Sequence, residues 1–347
     1  MSNLITYTLK VADIKQETTD AVTICFKQPG LKKVIYQPGQ YLTLIFRING
    51  RRYIRPYSFS SAPGVDATLN VTVKRVLSGI VSNHIIDNVK VDDLVEVMPP
   101  MGHFVVELTK LDDSTPIVLW GAGSGITPLI SIAKFLLKNR KNEVTLVYGN
   151  RDFENTLFVD QIRLLNQEHS NFTVWHFLSK ASISNAHPHH VEGRISPSKV
   201  LSVLKEKDKS GDSLHYICGP LGLKESVKGA LNKHGISEAN IFSEDFEVVK
   251  DSKDFENVIT RSVEIIKDQQ PQIVEVVKGR SILEAGLDAG IELSYSCQTG
   301  SCSICKATLQ TGDVKMVSTA NLSEELLENE YLLCCTYPLS DNISFKV

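Results

Sequence analysis

The chain has 347 residues, 42% hydrophobic and 22% charged, with 37 Lys and Arg against 40 Asp and Glu for a formal net charge of −3. That length exceeds one ordinary core, so two or three domains are expected, and the charge balance gives no sign of nucleic-acid binding. The charge is uneven: residues 262–347 carry six basic and twelve acidic side chains, leaving +3 for the remainder. An acidic lobe suits a redox module docking on a basic partner, and it equally suits simple solvation. Met1-Ser2-Asn3-Leu4-Ile5-Thr6 lacks the basic and apolar regions of a signal peptide. The most apolar run, Pro116 to Leu137, is broken by glycines and Pro128. No membrane span is expected, and the cytoplasm is the default compartment.

The first stretch, to about residue 110, reads as β structure. Ala21–Phe26, Tyr41–Ile48, Leu69–Val76 and Leu94–Met98 alternate or run apolar, separated by Gln28-Pro29-Gly30, Gln37-Pro38-Gly39, Asn49-Gly50 and Ala62-Pro63-Gly64. Short strands so spaced predict a small antiparallel barrel. Within it lies Arg55-Pro56-Tyr57-Ser58. Arginine suits a phosphate, the aromatic can stack on a flat ring, and the hydroxyl can bond a ring edge; a plain strand-end charge is the other reading. Gly79-Ile80-Val81-Ser82-Asn83 precedes a helix-like segment, where an anion site and an ordinary N-cap are both open.

From Thr115 strand, loop and helix alternate, the pattern of an α/β sheet. Strand Pro116–Trp120 runs through Gly121-Ala122-Gly123-Ser124-Gly125-Ile126-Thr127-Pro128 into helix Leu129–Leu137. Glycines allow the turn and let backbone amides meet a pyrophosphate at a helix start. The spacing is G-x-G-x-G rather than G-x-G-x-x-G, and strand Glu143–Tyr148 ends in Gly149-Asn150-Arg151 without the acidic residue that clamps a ribose. Strand Phe172–Phe177 leads to Leu178-Ser179-Lys180. Lys180, Arg151 and Arg194 are cations within reach of a 2′-phosphate, though lysine cannot fork onto it as arginine does. Ser184 to His190, with His187, His189 and His190, reads as an exposed polar loop rather than a metal site.

Lys250 to Asn257 is charged and nonperiodic, a linker by composition. Ser262–Ile266 and Ile273–Val277 then form a hairpin, Ser281-Ile282-Leu283-Glu284 is a capping box, and Gly290 ends the helix it opens. Cys297-Gln298-Thr299-Gly300-Ser301-Cys302-Ser303-Ile304-Cys305 follows, with Cys334 and Cys335 further on. C-x4-C-x2-C with a distant fourth cysteine is the ligand spacing of a plant-type [2Fe–2S] cluster. Zinc would call for a second CxxC pair, and a disulfide framework does not suit a long chain of this kind.

These motifs occur in an order that resembles the ferredoxin–NADP reductase family joined to a plant-type ferredoxin. The resemblance implies an FAD-binding antiparallel β-barrel over residues 1–111, an NAD(P)-binding α/β parallel-sheet domain over 112–247, a linker at 248–261 and a β-grasp [2Fe–2S] domain over 262–347. It assigns Arg55 to the flavin pyrophosphate, Tyr57 to stacking on the isoalloxazine and Ser58 to its reactive nitrogen, with Pro56 between them. The backbone at Val73, Lys74 and Arg75 and the turn at Gly79, Ile80, Val81 and Ser82 would hold the rest of FAD. Pro100-Met101-Gly102-His103-Phe104 would close the barrel, His103 packing as a loop residue. The G-x-G-x-G-x-T-P loop (Gly121, Gly123, Gly125, Thr127) and Cys218-Gly219-Pro220 would bind the nucleotide. Cys218 would lie near the nicotinamide, and Glu244 and Phe246 near the flavin edge. Ser179-Lys180 resembles the pair that NADPH-using members present, which with Arg151 favours NADPH over NADH. Compared with the ferredoxin segment L-x-C-x-x-Y-P, Cys334 is favoured over Cys335 as the fourth ligand beside Cys297, Cys302 and Cys305, and strand alternation should admit only one of the two. The ferredoxin-last order is similar to reductase components of multicomponent oxygenases, the phenylacetyl-CoA epoxidase type in particular. That resemblance implies an oxygenase partner, di-iron by this reading. Reductases of other oxygenases or of a fatty-acid desaturase, and a non-catalytic redox sensor, are the alternatives.

Overall fold

A computed structural model describes residues 5–109, 111–180, 189–207, 212–248, 251–317, 322 and 325–347. The chain divides into two compact units, Ile5–Glu244 and Asp245–Val347.

The larger unit begins with strands β1 (Tyr7–Thr18), β2 (Ala21–Lys27), β3 (Tyr41–Ile48), β4 (Arg51–Ser58) and β5 (Thr68–Lys74), helix α1 (Ile80–Asn88) and strand β6 (Leu94–Val97). They form a six-stranded sheet in the order β4-β3-β6-β1-β2-β5. A bridge between Phe59 and Val71 joins the end of β4 to β5, so the sheet curls into a barrel around Leu9, Val11, Ile24, Leu44 and Phe59. Asn49 and Gly50, at φ 51° and 79°, make the two-residue hairpin that their identities predict. β1 escapes sequence reading because its charged run buries little beyond Leu9, Val11 and Thr18.

The same unit continues with β7 (Ile117–Ala122), α2 (Ile126–Asn139), β8 (Val144–Asn150), α3 (Val159–Glu168), β9 (Phe172–Leu178), β10 (His190–Glu192), α4 (Pro197–Lys207), β11 (Leu214–Cys218), α5 (Leu221–His234) and β12 (Ile241–Glu244). All six strands are parallel, in the order β10-β9-β8-β7-β11-β12. Both faces are apolar: Leu119, Leu129 and Leu146 build one core, and Trp120, Phe177 and Val227 the other. Strand order reverses between β7 and β11, the place where open α/β sheets bind ligands beyond the strands' carboxyl ends. α2 starts earlier than the sequence suggests, because Pro128 falls in its first turn, where a missing N–H costs nothing.

The smaller unit contains β13 (Arg261–Lys267), β14 (Gln270–Val276), α6 (Ile282–Asp288), β15 (Lys306–Thr311), β16 (Val314–Met316), β17 (Glu330–Leu332), β18 (Thr336–Pro338) and β19 (Ile343–Lys346). Its main sheet runs β14-β13-β19-β15-β17, with β13 and β19 parallel and the other neighbours antiparallel. This is the expected β-grasp, with α6 packed beside it. The capping box is present: Glu284 N donates to Ser281 Oγ (3.2 Å), and Ser281 N to the Glu284 carboxylate (2.8 Å). The charged segment expected as a linker makes contacts of its own in this unit. Lys315 Nζ meets the Asp254 carboxylate at 2.8 Å, and Phe255 packs edge-on to Tyr337 at 4.8 Å between centroids. Among the described residues, no helix is long and apolar enough to cross a membrane.

Candidate functional site

The first station lies on β4. Tyr57 and Arg55 are half-buried and Ser58 is buried, facing Leu42, Leu44 and Tyr41 across the β3 ladder. Burial pushes the Tyr57 phenol above its ordinary range, with Arg55 opposing, so the ring stays neutral. Arg55 Nη1 donates to the Ile54 carbonyl (2.8 Å), leaving its other donors for an anion. β5 brings in Val73, buried, and Lys74, half-buried and 3.6 Å from Asp20. Arg75 is committed to Asp87 (2.6 Å). α1 opens at Gly79 with no side-chain cap and no acidic residue in its first turn, so the amides around Ile80, Val81 and Ser82 suit a phosphate. A β-carbon on Gly79 would lie 2.7 Å from Ser82 Oγ, and that hydroxyl accepts from Val76 N at 3.1 Å. Gly102 (φ 113°) packs against the Tyr41 ring, but His103 is exposed rather than packed. An arginine, a half-buried aromatic and an uncapped helix start fit a dinucleotide flavin.

The second station spans the switch point. Cys218 pairs with Gly121 on β7 and with Glu244 on β12, which puts the three in one row at the carboxyl ends of their strands. Cys218 is buried and Glu244 half-buried; Phe246 is exposed. The glycine loop has distinct duties at each position. Gly123 has φ 54° with nothing within 4 Å of a β-carbon, an open face for a ligand. Gly125 lies against the Cys218–Gly219 backbone, where a β-carbon would come 2.2 Å from the Cys218 carbonyl oxygen. Gly219 (φ 157°) is less crowded, its β-carbon position lying 2.8 Å from the Leu223 side chain and 3.1 Å from Ala122 N, ahead of Pro220. α2 has no capping side chain and no acid in its first turn, which suits a pyrophosphate there, although the Ile126 amide already donates to the Gly123 and Ser124 carbonyls and Pro128 has no N–H. Thr127 Oγ1 donates to the Ser124 carbonyl (3.0 Å), so it braces the loop. Tyr148, which sequence reasoning missed, braces it from below by donating to the Gly123 carbonyl (3.0 Å).

At the neighbouring strand ends Ser179 N donates to the Asn150 carbonyl (3.0 Å) and Lys180 N to the Arg151 carbonyl (2.8 Å), so Arg151 and Lys180 stand side by side and exposed. Both act on Asp152, whose carboxyl is held below its usual range mainly by Asn155, then by these two cations. Arg194 is exposed just past β10. His189 and His190 are not an exposed loop: His189 lies on Trp175 (4.6 Å) and His190 against Phe153 and His176 (5.2 and 5.4 Å). Ser184 and His187 lie outside the described residues.

The third station is the cysteine loop after α6. Gln298, Gly300 and Ser303 take φ of 58°, 81° and 57°, winding the loop so that amides turn inward. Thr299 N and Ser301 N each donate to Cys297 Sγ at 3.4 Å, and Cys297 N donates to Cys302 Sγ at 3.4 Å. Hydrogen bonds from Cys302, then Cys334, then the loop's own donors lower the Cys297 thiol pKa against its burial. Cys334 faces Cys297 and Cys305; Leu333 N donates to the Cys305 carbonyl (3.1 Å) and fixes that approach. Cys335 is fully buried, with its thiol toward the Leu332 carbonyl (3.5 Å). Strand alternation does not operate here, because Leu333–Cys335 is a 3-10 turn between β17 and β18. Among the described residues, no three His, Cys, Asp or Glu converge on a point one ion could fill. Four thiols gathered in mutual contact, with loop amides aimed at sulfur, fit the ligand set of a binuclear cluster.

Sequence-family models match along the whole order: an oxidoreductase FAD-binding domain over residues 8–106, an oxidoreductase NAD-binding domain over 119–229 and a 2Fe-2S iron-sulfur cluster binding domain over 265–339. Fold and stations together define an NAD(P)H-dependent flavin and iron–sulfur oxidoreductase. The chain belongs to the ferredoxin reductase family, in the branch that carries a C-terminal 2Fe-2S domain. It is 31% identical over 355 residues to the ferredoxin reductase component of 3-ketosteroid-9-alpha-monooxygenase from Rhodococcus rhodochrous, covering 97% of this chain and 96% of that one. It is 29% identical over 362 residues to a component of 1,2-phenylacetyl-CoA epoxidase from Escherichia coli (strain K12), with 97% and 96% covered. Phthalate dioxygenase reductase has the same fold, with a TM-score of 0.67 over 99% of this chain and 98% of its own at 23% identity.

Proposed function

We propose that this protein is the reductase component of a multicomponent oxygenase, passing electrons from NADPH through FAD and the [2Fe–2S] cluster to an oxygenase. The observation that carries the reading is the joint presence, on one chain, of the β4 flavin strand, the switch-point glycine loop and the four gathered thiols of Cys297, Cys302, Cys305 and Cys334. NADPH delivers two electrons as hydride and a cluster takes one, a mismatch that bound flavin bridges. Tyr57 presents a neutral ring to the flavin, Ser58 a hydroxyl to its reactive edge, and Arg55 a charge to its pyrophosphate. Cys218 and Glu244 border the place where nicotinamide meets flavin, and Gly121 to Thr127 hold the nucleotide's phosphates. Arg151 and Lys180, paired and exposed, favour the extra phosphate of NADPH over NADH. Cys297, Cys302, Cys305 and Cys334 hold the cluster, which in plant-type sites works near about −400 mV, low enough to reduce an oxygenase metal centre.

The likeness to the phenylacetyl-CoA epoxidase component supports a di-iron oxygenase partner in phenylacetate catabolism, and the slightly higher identity to the ketosteroid monooxygenase reductase supports a steroid-oxygenating one. Reconstitution with each type of oxygenase component separates them. NADPH oxidation coupled to product with the epoxidase and not with the steroid oxygenase supports the first, the reverse supports the second, and uncoupled oxidation with both refutes an oxygenase role of either kind.

A further inference from the structure

Between the two halves of the larger unit sits a buried polar contact that neither cofactor explains. Lys134 lies on α2, the helix that starts at the nucleotide loop, and is only 4% exposed. Its ammonium reaches across to Asp66 of the barrel at 2.8 Å. Burial lowers the Lys134 pKa and Asp66 opposes that, the behaviour of a desolvated cation held by its partner. One turn earlier on the same face, Ser131, fully buried, donates from Oγ to the Ser61 carbonyl at 2.6 Å.

The barrel side of this contact is the chain that continues directly from the flavin strand. After Ser58 come Phe59, Ser60 and Ser61. Ser61 Oγ accepts from Asn70 N (2.9 Å) and bonds the Tyr36 hydroxyl (2.8 Å), and the Tyr36 ring stacks on Phe59 at 4.0 Å. Asp66 also accepts from Ala62 N (2.7 Å), which folds Ser61–Asp66 into a fixed corner. On the other side α2 is joined to the Cys218–Gly219 rim through Gly125. Side-chain bonds therefore join a rigid path from Ser58 to the nucleotide loop.

We infer that Ser131 and Lys134 are positioning residues: they lock α2 to the Ser61–Asp66 corner and so set the register between nicotinamide and flavin. A buried ion pair contributes little net stability against an apolar pair of similar shape, so its directional bonds are what it adds. A salt-linked lysine and a hydroxyl gripping one carbonyl fix both the rotation and the slide of the helix, which apolar packing at the same place would leave looser.

The inference rests on hydride transfer from NAD(P)H to the flavin, and the wild-type protein tests that reading separately. Holoprotein is mixed anaerobically with NADPH in a stopped-flow spectrometer, giving the limiting rate of flavin reduction and the Kd for NADPH. Ser131→Ala removes one bond without stranding a charge, and Lys134→Met/Asp66→Asn removes the ion pair from both sides. FAD content and melting temperature are measured on each. Displacements of about 1 Å cost on the order of 100-fold in reactions of fixed geometry. The expected result is a limiting rate lowered 10- to 100-fold in the double variant and several-fold in Ser131→Ala, with Kd changed less than threefold and FAD retained. Unchanged limiting rates in a folded variant overturn the inference, as does a rate loss that only tracks lost FAD. Should the double variant not fold, Ser131→Ala decides alone. If wild-type flavin is not reduced by either NADPH or NADH, the underlying reading fails instead.

Discussion

Gly125 is the position where one added carbon should do most to catalysis. Its own φ is −63°, so alanine adds no backbone strain there. The obstacle is steric: a β-carbon would lie 2.2 Å from the Cys218 carbonyl oxygen, 2.5 Å from its carbonyl carbon and 2.7 Å from Gly219 N. These are main-chain atoms and cannot rotate away. Non-bonded contacts with carbon settle near about 3.5 Å, so the start of α2 and the Cys218–Gly219 rim must part by about 1 Å. Such overpacking costs about 1–3 kcal/mol of stability. Because it separates the phosphate loop from the nicotinamide rim, Gly125→Ala should lower the limiting rate of flavin reduction by NADPH on the order of 100-fold. Stopped-flow bleaching of the flavin band reads this directly, with FAD and cluster content as controls. Gly123→Ala is the contrast. Its β-carbon meets no protein atom within 4 Å but would stand on the face left open for the nucleotide; with the left-handed φ of 54° costing about 1–2 kcal/mol, the Kd for NADPH should rise while the limiting rate stays within a few-fold. A folded Gly125→Ala protein that reduces its flavin at the wild-type rate would refute the role given to this contact.

The other predictions concern ligands, nucleotide choice and a helix cap. Cys334→Ser should lose most cluster iron and visible absorbance, while Cys335→Ser keeps both and loses only a weak buried bond worth about 1 kcal/mol; the opposite pattern assigns the fourth ligand to Cys335. Lys180→Ala should raise the KM for NADPH about tenfold, the worth of one charge-assisted bond, and leave NADH within twofold. Equal effects on both nucleotides would remove Lys180 from the 2′-phosphate site. Ser281→Ala should destabilise the smaller unit by about 1 kcal/mol in a denaturant titration followed by cluster bleaching, and no shift in midpoint would mean the cap contributes nothing.

Features set by neighbours in sequence were the legible ones. The capping box at Ser281 and Glu284, the Asn49-Gly50 hairpin and the C-x4-C-x2-C loop each depend on a few adjacent residues, and each is present. What depends on distant chain was hidden. Nothing near Lys134 in sequence announces Asp66, and nothing near Gly125 announces the Cys218 carbonyl. The fourth cysteine was ambiguous because its side-chain direction depends on local backbone, and a 3-10 turn replaced the assumed strand. The charged composition of the expected linker at 248–261 hid the apolar anchors Phe255 and Val258, which pack with Tyr337 and Val317. His189 and His190 read as solvent-exposed because a run of polar residues precedes them, yet the aromatic rings they pack on come from other strands and loops.

The most direct test of the electron path is an anaerobic stopped-flow experiment mixing oxidised holoprotein, and in parallel Cys302→Ser, with NADPH. The expected result is flavin bleaching followed by loss of the cluster's visible bands in the wild type. In Cys302→Ser the flavin should bleach at a similar rate, with no onward reduction of cytochrome c. Wild-type flavin bleaching with the cluster bands unchanged, or full cytochrome c reduction by Cys302→Ser, would contradict the path from NADPH through flavin to the cluster.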